Sequence, residues 1–192
     1  MRLIVAGDCE KHDFILTVAN LIHSYYPDQS LVIVTDHSRH YRYFQDSGIP
    51  IHMDFSIERT EDIVIYDLHC DIPDDVVTEN TKIVFATSFE RCSIEAATQF
   101  SRIITPLALM MIGSECNINE KYIKLNIPIR VDYFGYYDNS IRRIDWVFEG
   151  STRFTKLDKD FKEAVEFYLT EIVEIPSKDL KKLWSFAKKR GK

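Results

Sequence analysis

Glycine is scarce in this chain, with six in 192 residues, and only Gly7 falls in the turn after the first apolar run. A turn that cradles phosphate needs several glycines, so that backbone N–H groups can approach the anion, and then Lys-Ser/Thr. Residues 7–14, GDCEKHDF, supply neither, which argues against ordinary triphosphate chemistry at that turn. Long hydrophobic runs are also missing. Nothing approaches 18 consecutive apolar residues, so no membrane span is expected. The first run, RLIVAG, is cut off at once by Asp8, so the layout of a signal peptide is lacking. The four cysteines (Cys9, Cys70, Cys92 and Cys116) form no C-x-x-C pair. Free thiols in a reducing, cytoplasmic setting are the expectation. There is no internal repeat and no low-complexity segment. Positive charge is in deficit at a net −6, so no nucleic-acid partner is expected.

What is present is an alternation of two periodicities. Hydrophobic content of 45% and charged content of 28% are those of an ordinary globular protein, and the length suits one domain. Apolar runs occur at Arg2–Gly7, Leu31–Asp36, Ile63–Asp67, Lys82–Ser88, Arg102–Pro106 and Ile127–Phe134. Runs without polar alternation suit strands covered on both faces, as in parallel sheets. Between them lie helical stretches at 13–24, 93–100, 117–125, 139–148 and 158–172. In the first, Phe14, Ile15, Val18, Leu21 and Ile22 recur at spacings of three and four. Ser93 reads as an N-cap for the second. The polar segment 37–61 has room for one short strand near Pro50 to Phe55. The pattern predicts an α/β fold: a three-layer sandwich with a mostly parallel central sheet and helices on both faces. The domain is expected to span 1–175, followed by a tail at 176–192.

Ligands of such sheets bind beyond the carboxyl ends of the strands. The residues falling there are Asp8, Cys9 and Glu10; Asp36, His37 and His40; Asp67, His69, Cys70 and Asp71; Thr87 and Ser88. Several readings stay open. Asp36 and Asp67 are of a type that holds magnesium through water in a nucleotide site. His37, His40, His69, Cys70 and Cys9 are of types that suit zinc, although H-x-x-H followed by His-Cys is no recognised signature. Asp8, Asp67 and Thr87 imitate a phospho-acceptor site. The plain alternative is that polar residues gather where solvated loops leave a sheet. On balance neither a cofactor nor a metal is expected. The turn itself carries Asp8, Glu10 and Asp13, with Lys11 as its one cation. Repulsion between unit charges ~4 Å apart is on the order of 1–4 kcal/mol each, enough to oppose a bound triphosphate.

The order of these segments resembles the ParA/MinD group of deviant Walker P-loop ATPases. VIVTD, ending in Asp36, resembles that family's second strand, and EDIVIYDLHCDIPDDV its switch segment around Asp67. FATSFERCSIEAATQF resembles the following strand and helix. IPIRVDYFGYYDNSIRRIDWVFEGS and FTKLDKDFKEAVEFYLTEI resemble the late strand and the closing helices. The resemblance implies a P-loop NTPase-like fold. It makes Asp36 and Asp67 positional equivalents of the family's magnesium and switch aspartates. The departure is at Gly7, Asp8, Glu10, Lys11 and Asp13, where the family has its glycine-rich Lys-Thr turn. A degenerate member is implied: a pseudo-ATPase scaffold or adaptor in a secretion, pilus, conjugation or positioning system. The alternative is a nucleotide- or metal-dependent switch built on Asp36 and Asp67. Implied partners are another protein and a second copy of the chain.

Charge is segregated along the sequence. Residues 177–192 hold seven Lys/Arg and one Asp, a tail of +6, so the remainder is −12. Leu180, Leu183, Trp184 and Ala187 fall on one helical face, with Phe186 flanking. Lys181, Lys182, Ser185, Lys188 and Lys189 take the other. Such a basic amphipathic helix fits an anionic membrane surface, which would place the protein at the inner face of the membrane. It fits equally a helix docked on its own domain or on a partner. Tyr133, Phe134, Tyr136 and Tyr137 cluster beside Gly135 and suit either core packing or an interface.

Overall fold

The computed structural model describes residues 1–37, 39–44, 48–55, 59–69 and 71–190. Their centre is a seven-stranded sheet, parallel throughout, in the order β3-β2-β4-β1-β5-β6-β7. The strands are β1 Arg2–Ala6, β2 Leu31–Thr35, β3 Ile51–His52, β4 Ile63–Leu68, β5 Thr81–Ser88, β6 Ala108–Gly113 and β7 Asp132–Tyr137. The helices are α1 His12–Tyr25, α2 Arg91–Phe100, α3 Glu120–Asn126, α4 Trp146–Glu149, α5 Lys159–Phe167 and α6 Ser177–Arg190. Wider π-type turns at Ile141–Asp145 and Tyr168–Ile172 lead into α4 and extend α5.

Alternation along each strand divides the core in two. Leu3, Val5, Ile33, Ile63, Ile65, Val84 and Met110 face α1, α5 and α6. Ile4, Ala6, Val32, Val34, Val64, Phe85 and Leu109 face α2 and α3, where Ile94, Ala97, Phe100 and Ile123 meet them. This is the expected three-layer sandwich. The central strands were legible because both faces are covered, at roughly 1.5–3 kcal/mol per large apolar side chain buried.

Two strands lie elsewhere than expected. The run 102–106 is not a strand: Ile103 is 81% exposed, and the amides of Ile103 and Ile104 return to the Phe100 carbonyl at the end of α2. The sixth strand is Ala108–Gly113, buried along its whole length. Likewise Ile127 and Ile129 pack beneath the sheet after α3, and β7 begins only at Asp132. Ser93 is not an N-cap. Glu90 holds that position, and the Ser93 hydroxyl accepts from the Ser88 amide at 2.8 Å. The tail continues the main core, because Leu180, Leu183, Trp184 and Ala187 are buried with the α1 layer.

Gly7 is required by space. A Cβ there would stand 1.8 Å from the Ala86 carbonyl oxygen of β5. The first turn therefore leaves the sheet pressed against its neighbour.

Candidate functional site

The turn between β1 and α1 closes on itself. The Gly7 amide donates to Leu68 O at 2.9 Å, and the Cys9 amide to Gly7 O at 2.9 Å. Lys11 stands at the residue before α1, and its side chain folds back beneath the turn with no exposure. Its Nζ donates to Gly7 O at 2.8 Å and to Leu68 O at 3.1 Å. It lies 2.8 Å from Oδ1 of Asp67, which is also fully buried. The other oxygen of Asp67 accepts from the Tyr41 hydroxyl at 2.5 Å. Burial is the largest single influence and disfavours the Lys11 ammonium, but Asp67 with Cys9 and Asp36 together outweigh it and hold its pKa above the ordinary lysine value. Burial, then Asp67, pushes the Tyr41 phenol well up. The result is a buried Lys–Asp pair topped by a phenol.

The three carboxylates do not jointly face the mouth of the turn. Asp13 is 4% exposed and turned inward. It accepts from its neighbour's amide at Phe14, from the Tyr136 hydroxyl at 3.2 Å and from Arg142 Nε at 3.1 Å. Arg142, itself buried, also pairs with Asp158 and donates to Tyr137 O at 2.9 Å. Its guanidinium lies 4.0 Å from the centre of the Phe161 ring. Glu10 is half-buried and meets His40 Nε2 at 2.7 Å and Arg39 at 3.8 Å. The His12 and His40 imidazoles beside it hold its carboxyl down, at about 2. Asp8 is the exposed member of the three. The expectation of three repelling charges is thus corrected: Arg142 neutralises Asp13, and Glu10 is engaged by His40 and Arg39.

Asp36 and Asp67 leave adjacent strands, as expected from their positions. Both oxygens of Asp36 accept from the His69 amide at 2.9 Å. His69 Nδ1 lies 3.4 Å from Asp36 and 4.0 Å from Asp67. The His37 ring lies 4.5 Å from that of His69 and 6.5 Å from that of His40. Cys9 is buried, and its thiol is pushed up to about 12, chiefly by desolvation. It is no thiolate ligand. Cys70 lies outside the described residues. A phospho-acceptor on Asp67 does not fit, because that carboxylate is sealed. Thr87 is likewise buried and bonds Ser88 O and Ser93.

A different group of possible ligands does converge. Glu10, His12 and His40 each place a donor atom within 4.8 Å of the others. His12 was not apparent among the candidates, since only folding brings the loop after β2 to the start of α1. Tyr41 and Arg142 reach the turn only through the fold for the same reason, as does the hydroxyl of Tyr136. Phe134 and Tyr136 of the aromatic cluster are core, whereas Tyr137 is 57% exposed.

In α6, the apolar side is spent on the domain. Leu180, Leu183 and Trp184 are buried, and Asp179 accepts from Tyr25 of α1 at 3.2 Å. Lys181, Lys182, Lys188 and Lys189 face outward. Phe186, 43% exposed, shares a shallow cleft with Lys178, Lys181, Lys182, Ser185 and Lys189. No helix among the described residues is long and apolar enough to cross a membrane.

No protein-family model and no curated protein sequence matches this chain. Solved structures do match. A Borrelia burgdorferi B31 protein assigned to plasmid partition, bound to AMPPNP, aligns with a TM-score of 0.50 at 10% identity, over 90% of this chain and 98% of the other. The MinC:MinD cell division protein complex of Aquifex aeolicus gives 0.50 at 11% identity, over 86% and 93%. With the parallel seven-stranded sheet, these likenesses identify the fold as the ParA/MinD, P-loop NTPase-like one.

Proposed function

We propose that this protein is a pseudo-ATPase: a scaffold or adaptor on a ParA/MinD-type frame, working through protein contacts in a partition-like or positioning system. One observation carries the reading. The only lysine of the first turn is fully buried and bonded to Asp67, Gly7 and Leu68. A lysine that binds phosphate must present its ammonium to the ligand. Releasing Lys11 would strand the Asp67 carboxylate in the core, at a cost of several kcal/mol. A switch working through Asp67 would have to break the same pair.

Protein contacts have a candidate surface. Ile141, Ile144 and Phe148 recur along one side of the π-turn and α4, at 64%, 55% and 91% exposure. Clustered exposed apolar residues mark interaction sites more often than chance surface. Lipid affinity in α6 would rest on its outward lysines and Phe186, because its apolar stripe is occupied by the domain. The test is calorimetric titration of the full chain with ATP and with AMPPNP in the presence of Mg²⁺. Absence of saturable heat is expected, and micromolar binding of either nucleotide overturns the proposal.

A further inference from the structure

Four of the six histidines gather at one edge of the sheet: His12, His37, His40 and His69. Two of them meet a carboxylate there. Glu10 and His12 flank Lys11 in the first turn, and His40 comes from the loop after β2. Glu10 Oε2 lies 2.7 Å from His40 Nε2 and 3.6 Å from His12 Nδ1. The second distance is too long for a hydrogen bond. Among the described residues neither buried ring nitrogen of His12 has a hydrogen-bond partner, and the residue is 2% exposed. A buried imidazole with two unsatisfied nitrogens is uncommon, because leaving a polar group unpaired costs roughly 1–3 kcal/mol. The rings of His12 and His40 are stacked with centres 4.2 Å apart and planes at 28°; because an ion lies in the plane of each imidazole that binds it, one ring must turn for both to reach a common ion.

The geometry points to a binding site for a divalent transition-metal ion, zinc being the best match, held by Glu10, His12 and His40. Two imidazoles and one carboxylate are a donor set for zinc, and also for ferrous iron when positions remain open. They are a poor set for Mg²⁺ or Ca²⁺, which prefer oxygen. Metal–ligand bonds of about 2.0–2.2 Å bring tetrahedral donors to about 3.3–3.6 Å apart. The three donors already lie within 4.8 Å, so closing the site takes side-chain rotation, chiefly of His40, which is on the loop, and no movement of the sheet. Arg39, the one arginine or lysine paired with Glu10 among the described residues, is 70% exposed on its side chain and can swing into solvent. A fourth position would be left for water. The ion would clip the loop after β2 to the first turn, next to Tyr41 and the sealed Lys11–Asp67 pair.

The experiment uses the full chain stripped with a chelator and titrated by calorimetry with Zn²⁺, with anaerobic Fe²⁺ and with Mg²⁺. One zinc or ferrous ion per chain is expected, with no competition from Mg²⁺. His12→Ala and His40→Ala should each weaken binding at least tenfold. The metal-free melting curve of each variant fixes the temperature at which it is fully folded, and binding is compared only there, so that lost binding is not lost folding. His52→Ala, on an exposed residue, should bind like the parent. Zinc should raise the melting temperature of the parent and not of His40→Ala. The assignment is overturned by absence of saturable zinc binding or by Mg²⁺ binding at the same site. It is equally overturned if His37→Ala with His69→Ala abolishes binding while His12→Ala and His40→Ala retain it.

Discussion

Substituting Lys11 by Met tests the sealed turn most directly. The change keeps most of the side-chain volume and deletes the ammonium. Asp67, with no exposure, would be left with the Tyr41 hydroxyl and a histidine nitrogen 4.0 Å away. Removing one partner of a buried ion pair costs about 3–5 kcal/mol. A second route gives a similar figure. Asp67 can protonate instead, and for an ordinary aspartate near 3.9 that costs about 4 kcal/mol at pH 7, at 1.36 kcal/mol per unit. Against a total stability of about 5–15 kcal/mol, this is a large fraction. The sign with pH follows. In the variant burial penalises the stranded carboxylate in its charged form, so the loss is fullest where carboxylates are ionised and shrinks as pH falls. The variant should therefore gain on the parent between pH 7 and 5. The assay is urea unfolding of both proteins at those two pH values. Lys11→Met with Asp67→Leu, which removes the stranded charge, should recover most of the loss. A loss under about 0.5 kcal/mol in Lys11→Met, or no gain at pH 5, would refute the reasoning.

Three further outcomes are expected. Arg142→Met should cost about 3–5 kcal/mol in the same assay, because it strands Asp13 beneath the first turn of α1; a neutral result would mean that Asp13 reaches solvent. Cys9 should resist alkylation in the native state while the exposed Cys92 and Cys116 react, as read by mass mapping of peptides; equal rates would contradict its burial and its raised thiol pKa. Ile144→Asp combined with Phe148→Asp should leave unfolding free energy within about 0.5 kcal/mol, since neither side chain belongs to the core; a larger loss would show the α4 stripe to be structural.

The fold was readable where burial is two-sided. In β1, β2, β4 and β5 every central position is apolar, and no other element of that length and composition competes. The edge was harder. Apolar residues run almost unbroken from Ile103 to Ile112, with Pro106 between, and periodicity cannot say which half is the strand. Register decides it: the Leu107 amide bonds Ile83 O, and Val84 then pairs with Ala108. Asp36 and Asp67 were legible because strand ends have fixed positions in such sheets. The partners of the turn residues were not. The Asp13–Arg142 bond spans 129 positions, and Tyr41 reaches Asp67 across 26. No local pattern encodes such pairings.

That gap changes what the acidic turn means. Read alone, GDCEKHD is a surface that repels anions. In the fold, its lysine is drawn inward by Asp67 and its last aspartate by Arg142, and both charges are cancelled inside the protein. Repulsion is then a minor obstacle to a triphosphate. On the proposed pseudo-ATPase reading the larger one is occupancy, because the ammonium that would have to greet the phosphate already holds β1, β4 and the turn together through Gly7, Leu68 and Asp67. A repulsive turn could be rescued by neutralising Asp8, the exposed carboxylate. An occupied one could not. Asp8→Asn should leave the chain without measurable affinity for ATP, and a gain of micromolar binding in that variant would show that charge alone had kept the nucleotide out.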